Sequence, residues 1–273
     1  MFGSNRIGLA ACILMMGWLS GVLWLDRASG SGDLWLQSGL GAGTWVVLVV
    51  ALRRVSPVVR AQTAVVVAFA TAVEYIFSPT LEVYVYRFDN VPMYVPPGHG
   101  LVYLSAFALG HTRFVERHMR ALVALVLVAG GLWAWHGLFL AERQDALGAF
   151  WFACLAGFLL WGPSKAVYVG AFVVVSYLEL LGTGLGNWVW QSDDPTGWVS
   201  IGNPPSGAAG GYGWFDLAGL LAAPYVLRMV SRGRLPDRDR TPAVHPPDSA
   251  HAPPPDPDPP VLPPPRAGAV DVR

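Results

Sequence analysis

Residues 58–86 read VVRAQTAVVVAFATAVEYIFSPTLEVYVY, and residues 166–190 read AVYVGAFVVVSYLELLGTGLGNWVW. Each is a strongly apolar run that reaches a carboxylate near its end, Glu74 in one and Glu179 in the other. Some ten residues later comes an aromatic-x-aromatic triplet, Tyr84-Val85-Tyr86 or Trp188-Val189-Trp190. A Pro/Gly break then leads into the next apolar run: Asn90-Val91-Pro92 and Pro96-Pro97-Gly98-His99-Gly100 in the first copy, Asn203-Pro204-Pro205-Ser206-Gly207 in the second. A carboxylate in or near lipid is costly to keep and marks a candidate functional site. Two in matching positions sharpen that reading.

The composition, 53% hydrophobic and only 13% charged, is that of an integral membrane protein. The formal net charge is zero and there is no basic stripe, so no nucleic-acid partner is expected. Cys12 and Cys154 lie inside apolar runs and read as small buried hydrophobes. The apolar run Ile7–Leu25 is longer than a signal-peptide core and reads as a retained first helix.

The hydropathy pattern predicts an all-α polytopic transmembrane helix bundle of about eight spans, at 7–25, 35–52, 58–77, 97–112, 120–140, 146–162, 166–182 and 208–230. One set of loops carries Arg53, Arg54, Arg60, Arg113, Arg117, Arg120, Lys165, Arg228, Arg232 and Arg234, with Arg6 on the same side; the other has Arg27, Arg87 and Arg143, each beside an acid. The positive-inside rule then places both termini in the cytoplasm of a multi-pass cell-membrane protein, as eight spans require. Both motif copies follow odd-numbered spans, four spans apart. This offset reads as a parallel 4+4 duplication, with a first half at 1–115 and a second at 116–234; the alternative is that aromatics, Pro and Gly gather at membrane interfaces anyway. Residues 235–273, rich in Pro, Asp and Ala, read as a disordered cytoplasmic tail whose proline runs offer a site for a cytoplasmic partner.

Glu74 and Glu179 are the leading acid/base candidates, because apolar surroundings disfavour the charged form of a carboxyl and suit it to general acid work. His99, in a Pro-Pro-Gly-His-Gly turn, and Asp216, a charge well inside the eighth span, are further catalytic candidates. Tyr84, Tyr86, Trp188 and Trp190 have period-two spacing, which puts each pair on one face of an extended segment. They are candidates to line a substrate pocket, together with Asn90, Asn203 and His136, or else interface anchors. The five ionisable groups Glu74, Glu179, His99, His136 and Asp216 all fall in the outer half of the spans, leaving the inner half without a polar path. No close metal-ligand spacing occurs within these spans, so no metal or cofactor is expected.

These residues resemble the carotenoid-biosynthesis integral membrane proteins, a family that includes bacterioruberin-type hydratases and relatives of the heterodimeric lycopene cyclases. Glu74, Tyr84-Val85-Tyr86 and Val91-Pro92 look like that family's first motif set; Glu179, Gly182, Gly186, Trp188-Val189-Trp190, Asn203-Pro204 and Trp214 look like its second. The glycine-rich segment that follows the family's first acid is missing here. The resemblance implies acid-catalysed hydration or cyclisation of a hydrophobic isoprenoid, without a redox cofactor. The substrate would be a membrane lipid entering sideways from the bilayer, and the carbocation would be stabilised by aromatic faces. Two other readings stand beside it. One is a multi-span transporter or permease. The other is a structural or accessory membrane subunit without catalysis, in which small-residue faces such as Gly39/Gly43 do the packing.

Overall fold

The structure is a computed structural model and describes residues 5–28 and 34–232. The proline-rich tail expected at 235–273 lies outside the described residues. Among the described residues the chain forms α1 (Asn5–Ala28), α2 (Leu34–Leu52), α3 (Pro57–Tyr75), β1 (Tyr84–Tyr86), α4 (Val95–Gly110), α5 (Arg113–Arg117), α6 (Met119–Phe139), α7 (Ala146–Trp161), α8 (Lys165–Leu185), β2 (Trp188–Trp190) and α9 (Ala208–Arg232). Several helix starts carry their own stop signals for the preceding loop. Ser56, Thr112, Asp145 and Ser164 each accept a backbone N–H of the first turn that follows, of α3, α5, α7 and α8 respectively.

Helices α3, α4, α8 and α9 form the centre. The most extensive packing is reciprocal: α3 against α9 and α4 against α8, with α1 laid over α4 and α7 over α9. The α4–α8 contact depends on small residues four apart on both helices. A Cβ at Gly110 would overlap the Ala166 carbonyl oxygen, and one at Gly170 would overlap the Ala106 carbonyl oxygen. This small-xxx-small arrangement lets the two backbones touch. The face expected at Gly39/Gly43 does not do this work: Gly39 meets nothing within 4 Å, and Gly43 meets only the Trp18 ring.

Among the described residues, five helical segments are long and apolar enough to cross a membrane: Ile7–Ala28, Leu34–Leu52, Pro57–Thr80, Met119–Phe139 and Lys165–Leu185. The expectation of eight is not met on length and composition. Helices α4 and α7 have 16 residues each, about 24 Å at 1.5 Å per residue and short of a 30 Å hydrocarbon core. Helix α4 is buried along almost its whole length, so protein rather than lipid is its solvent. Helix α9 is long enough but carries Asp216 and Arg228 in a Gly/Ala-rich sequence.

The bundle is also not purely α. The two aromatic triplets pair with each other as an antiparallel ribbon, with Tyr84 opposite Trp190, Val85 opposite Val189 and Tyr86 opposite Trp188. Because side chains alternate along a strand, this register puts all four aromatics on one face. By connectivity the ribbon lies at the end of the bundle where α3 and α8 finish and α4 and α9 begin. Helix α8 exits through Gly186 at φ 74°, a left-handed position that favours glycine. Helix α3 has no such glycine and leaves through the π-helical turn Ile76–Thr80.

The packing makes a testable contrast. Gly170→Val is expected to destabilise the protein by about 1–3 kcal/mol through overpacking. Gly39→Ala, facing open space, should stay within about 0.5 kcal/mol. Thermal unfolding in detergent compares the two.

Candidate active site

The apolar runs of α3 and α8 carry Glu74 and Glu179 to within a turn or two of the ribbon, and both are buried, at 5% and 3% exposure. A buried carboxyl needs hydrogen-bond donors, and the helix around it has none to spare. The ribbon supplies them. The Tyr84 and Tyr86 hydroxyls both donate to Glu74 Oε2, each at 2.8 Å. The Trp188 and Trp190 indole N–H groups both donate to Glu179 Oε2, each at 3.1 Å. Each carboxyl is thus held by the aromatic pair of its own copy. Gly182 makes room for this: the Trp188 ring fills the space that a side chain at Gly182 would take.

The two halves of the site meet through the aromatics. Tyr84 and Trp190 stand with ring centroids 4.4 Å apart, and Tyr86 and Trp188 at 6.1 Å. Below them lies a cavity of about 280 Å³. Its wall includes Glu74, Glu179, His99 and all four ribbon aromatics, closed by aliphatic side chains of α1, α3, α4 and α8.

The two carboxyls differ in what their partners can do. His99 Nε2 lies 2.7 Å from Glu74 Oε1, so Glu74 has three partners, all of which can both give and accept a proton. An indole N–H only donates. Glu179 Oε2 is therefore committed as an acceptor, while no described residue donates to its Oε1. His99 is buried, packs edge-on against Phe215 and at 5.1 Å against the Tyr212 ring, and leaves Nδ1 without a partner.

Other expected site residues lie elsewhere. His136 is exposed on α6, a peripheral helix that packs on α7 and α8, and does not line the cavity. Asn90 is outside the cavity and donates to Gln37 Oε1 at 2.7 Å. Asn203 is exposed, and its Oδ1 accepts the Trp190 backbone N–H at 3.0 Å, which fixes the end of β2 rather than contacting a substrate. Asp216 is 5% exposed on α9 but sits outside the cavity lining, one turn beyond Tyr212, which does line it.

The sequence reading missed Tyr94, Trp151 and Tyr212, which line the cavity, and two buried acids, Asp26 and Asp145, whose hydrogen bonds brace the loops around the ribbon. Asp26 accepts from Gln37, Tyr94 and the Asn187 side chain, and Asn187 immediately precedes β2. Asp145 accepts the backbone N–H groups of Gly148, Gly202 and Ser206. Beside it Arg143 donates to the carbonyls of Ile201, Trp190 and Gln191. Asp26 ends an apolar run as Glu74 does, and that signal was legible. Tyr212 had none beyond its position one turn before Asp216.

No protein-family model matches the chain, and neither a curated protein nor a solved structure matches it significantly.

Removing one donor from a buried carboxyl while leaving the acceptor in place should be expensive. Tyr86→Phe is expected to cost about 1–3 kcal/mol, read as a lowered unfolding midpoint in detergent. The exposed Tyr75→Phe, on the same stretch of chain, should leave the midpoint unchanged.

Proposed function

We propose that this protein modifies the end of a hydrophobic isoprenoid chain in the membrane by acid-catalysed hydration or cyclisation. The observation that carries the reading is two buried carboxyls with unlike partners on the wall of one aromatic cavity. Glu179 is oriented by two donors that cannot take a proton from it, and its Oε1 is open. That oxygen is suited to carry the transferable proton. The carboxyl O–H bond breaks, the alkene π pair forms a new C–H bond, and a tertiary carbocation is left on the neighbouring carbon. The faces of Tyr84, Tyr86, Trp188 and Trp190 stabilise the cation in a site with little water. The Glu74–His99 pair takes the second proton. In hydration it comes from the water whose oxygen forms the C–O bond; in cyclisation it leaves carbon after ring closure. Either way one proton enters the substrate and one departs.

A 280 Å³ cavity is at the small end for ligand sites and suits a chain terminus, with the remainder of the lipid lying outside. Of the residues that carry the resemblance to the carotenoid-biosynthesis membrane proteins, Glu74, Tyr84, Tyr86, Glu179, Trp188, Trp190 and Trp214 line this cavity, whereas Val91, Pro92, Gly182, Gly186, Asn203 and Pro204 do not. We read the chain as eight spans with both termini cytoplasmic. In support, the basic clusters at the α2–α3, α4–α6 and α7–α8 junctions lie at the end opposite the ribbon, and α4 needs little lipid-facing surface. The reciprocal packing of α3 with α9 and α4 with α8 supports the 4+4 duplication.

Lipid extraction and mass spectrometry of a strain lacking the protein should show loss of a hydroxylated or cyclised isoprenoid and accumulation of its unmodified precursor. Glu179→Gln and Glu74→Gln should restore the product with about 10²–10⁴-fold lower turnover, the usual worth of a positioned acid or base. An unchanged isoprenoid profile in the deletion strain would sink the reading.

A further inference from the structure

The lining of the cavity is unevenly exposed. Every lining residue from α1, α4 and α8 is buried, among them Leu19, Val102 and Leu178. The lining residues that are exposed are Phe69 on α3, at 41%, and Trp214 on α9, at 46%. Val73 and Gly211, on the same two helices, also line the cavity and are half-buried. The opening therefore lies along the seam between α3 and α9.

The packing sets the limits of that opening. On the side away from the ribbon the two helices touch: a Cβ at Gly219 would stand 2.9 Å from the Val66 side chain and 3.0 Å from the Gln62 carbonyl oxygen. One turn nearer the ribbon, Phe69 and Phe215 meet edge to face with centroids 5.4 Å apart. Beyond that pair the cavity lies between the helices, with Val73 on one wall and Gly211 on the other. The ribbon closes the top, where Tyr84 stands 4.4 Å from Trp190. The back is closed by α1, whose Leu19 side chain lies 3.8 Å from where a Cβ at Gly98 of α4 would be.

Depth decides what the opening faces. Phe69 is at the middle of the span Pro57–Thr80. It thus faces lipid tails, with the headgroups about 15 Å away on either side. Glu74 is five residues nearer the ribbon, about 7.5 Å along the helix. The lip residues Phe69, Val73, Gly211, Trp214 and Phe215 carry no charge and no carboxyl or amide. Phe215 also stands edge-on to the His99 ring at 5.5 Å, so one side chain separates the lip from the Glu74–His99 pair.

We propose that the α3–α9 seam, between the Phe69–Phe215 pair and the ribbon, is a lateral binding site for the hydrocarbon chain of a membrane isoprenoid. The chain end lies inside, against the buried wall of α1 and α8, and the adjoining length of chain lies across Phe69 and Trp214. A cavity closed at the back takes a chain end and not the middle of a chain. Surrounding lipid is as apolar as the chain itself, so retention depends on fit against the aromatic lips. That the chain is an isoprenoid rests on the function proposed above; that a chain binds at this seam does not.

Photolabelling of the full chain in lipid nanodiscs, mapped by mass spectrometry, tests the site. Two probes are used: a polyisoprenoid alcohol with a diazirine in mid-chain, and the same alcohol with the diazirine at its hydrocarbon end. The mid-chain probe is expected to mark Phe69 and Trp214, and the end probe Leu19 and Leu178. Excess unlabelled alcohol should remove these adducts, while adducts on the exposed Leu125 and Leu132 of α6 stay. Val73→Trp, which fills the opening, should lower the competed adducts at Leu178 several-fold. Mid-chain adducts absent from Phe69 and Trp214 in the unaltered protein overturn the proposal. So do adducts there that resist competition as those on α6 do, since they would report bulk lipid only. The map requires no turnover. Competed labelling at the seam in a protein whose deletion leaves the lipid profile unchanged would remove the reaction and keep the binding site. A changed lipid profile without competed labelling at the seam would remove the binding site and keep the reaction.

Discussion

A carboxyl taken out of water must find donors, and a helix has none to offer because its own N–H groups are spent on its own carbonyls. Glu74 and Glu179 each meet this demand with two donors from a short extended segment of the same motif copy. For two side chains of one triplet to reach the same oxygen, the backbone must be extended so that they share a face. A three-residue strand is not stable alone. Each triplet therefore depends on the other for its backbone partner. Satisfying either acid requires both halves of the chain, and the rest of the ribbon end is arranged to keep that pairing in place.

The clamps around the ribbon follow the same logic at lower stakes. Asn187, held by Asp26 and by the Leu23 carbonyl, fixes the start of β2; Asn203 and Arg143 fix its end. Two of the three arginines that sequence placed on the sparsely charged side, Arg87 and Arg143, are structural ties. Arg143 caps three loop carbonyls, and Arg87, just past β1, donates to the Asp26 carbonyl. Polar groups at this end bond to backbone and to one another, so the cavity can remain apolar apart from its acids, His99 and the aromatic donors.

The symmetry of the two copies stops at chemistry. Phenols and an imidazole can pass protons; indoles cannot. The same backbone device thus yields one carboxyl inside an exchangeable network and another that is oriented but left open on one oxygen. A reaction that needs a proton donor and a proton acceptor on one small cavity can use that difference, whereas two identical half-sites would offer it two copies of one role.

The sequence by itself determined the membrane class, the long apolar helices and the two acids with their aromatic triplets, because hydropathy and period-two spacing are local properties. Only five of the eight expected spans have the length and apolarity of a span by themselves, since the shortness of α4 and α7 and the polarity of α9 require burial against neighbours. Sequence also placed His136, Asn90 and Asn203 in a pocket because nearness along the chain cannot tell which face of a helix or loop looks inward. Only the tertiary structure decided that the triplets pair, that His99 sits on Glu74, and that Asp145 and Tyr212 matter. Each of those depends on contacts between segments far apart in sequence, and the geometry that selects them exists only once the helices have packed.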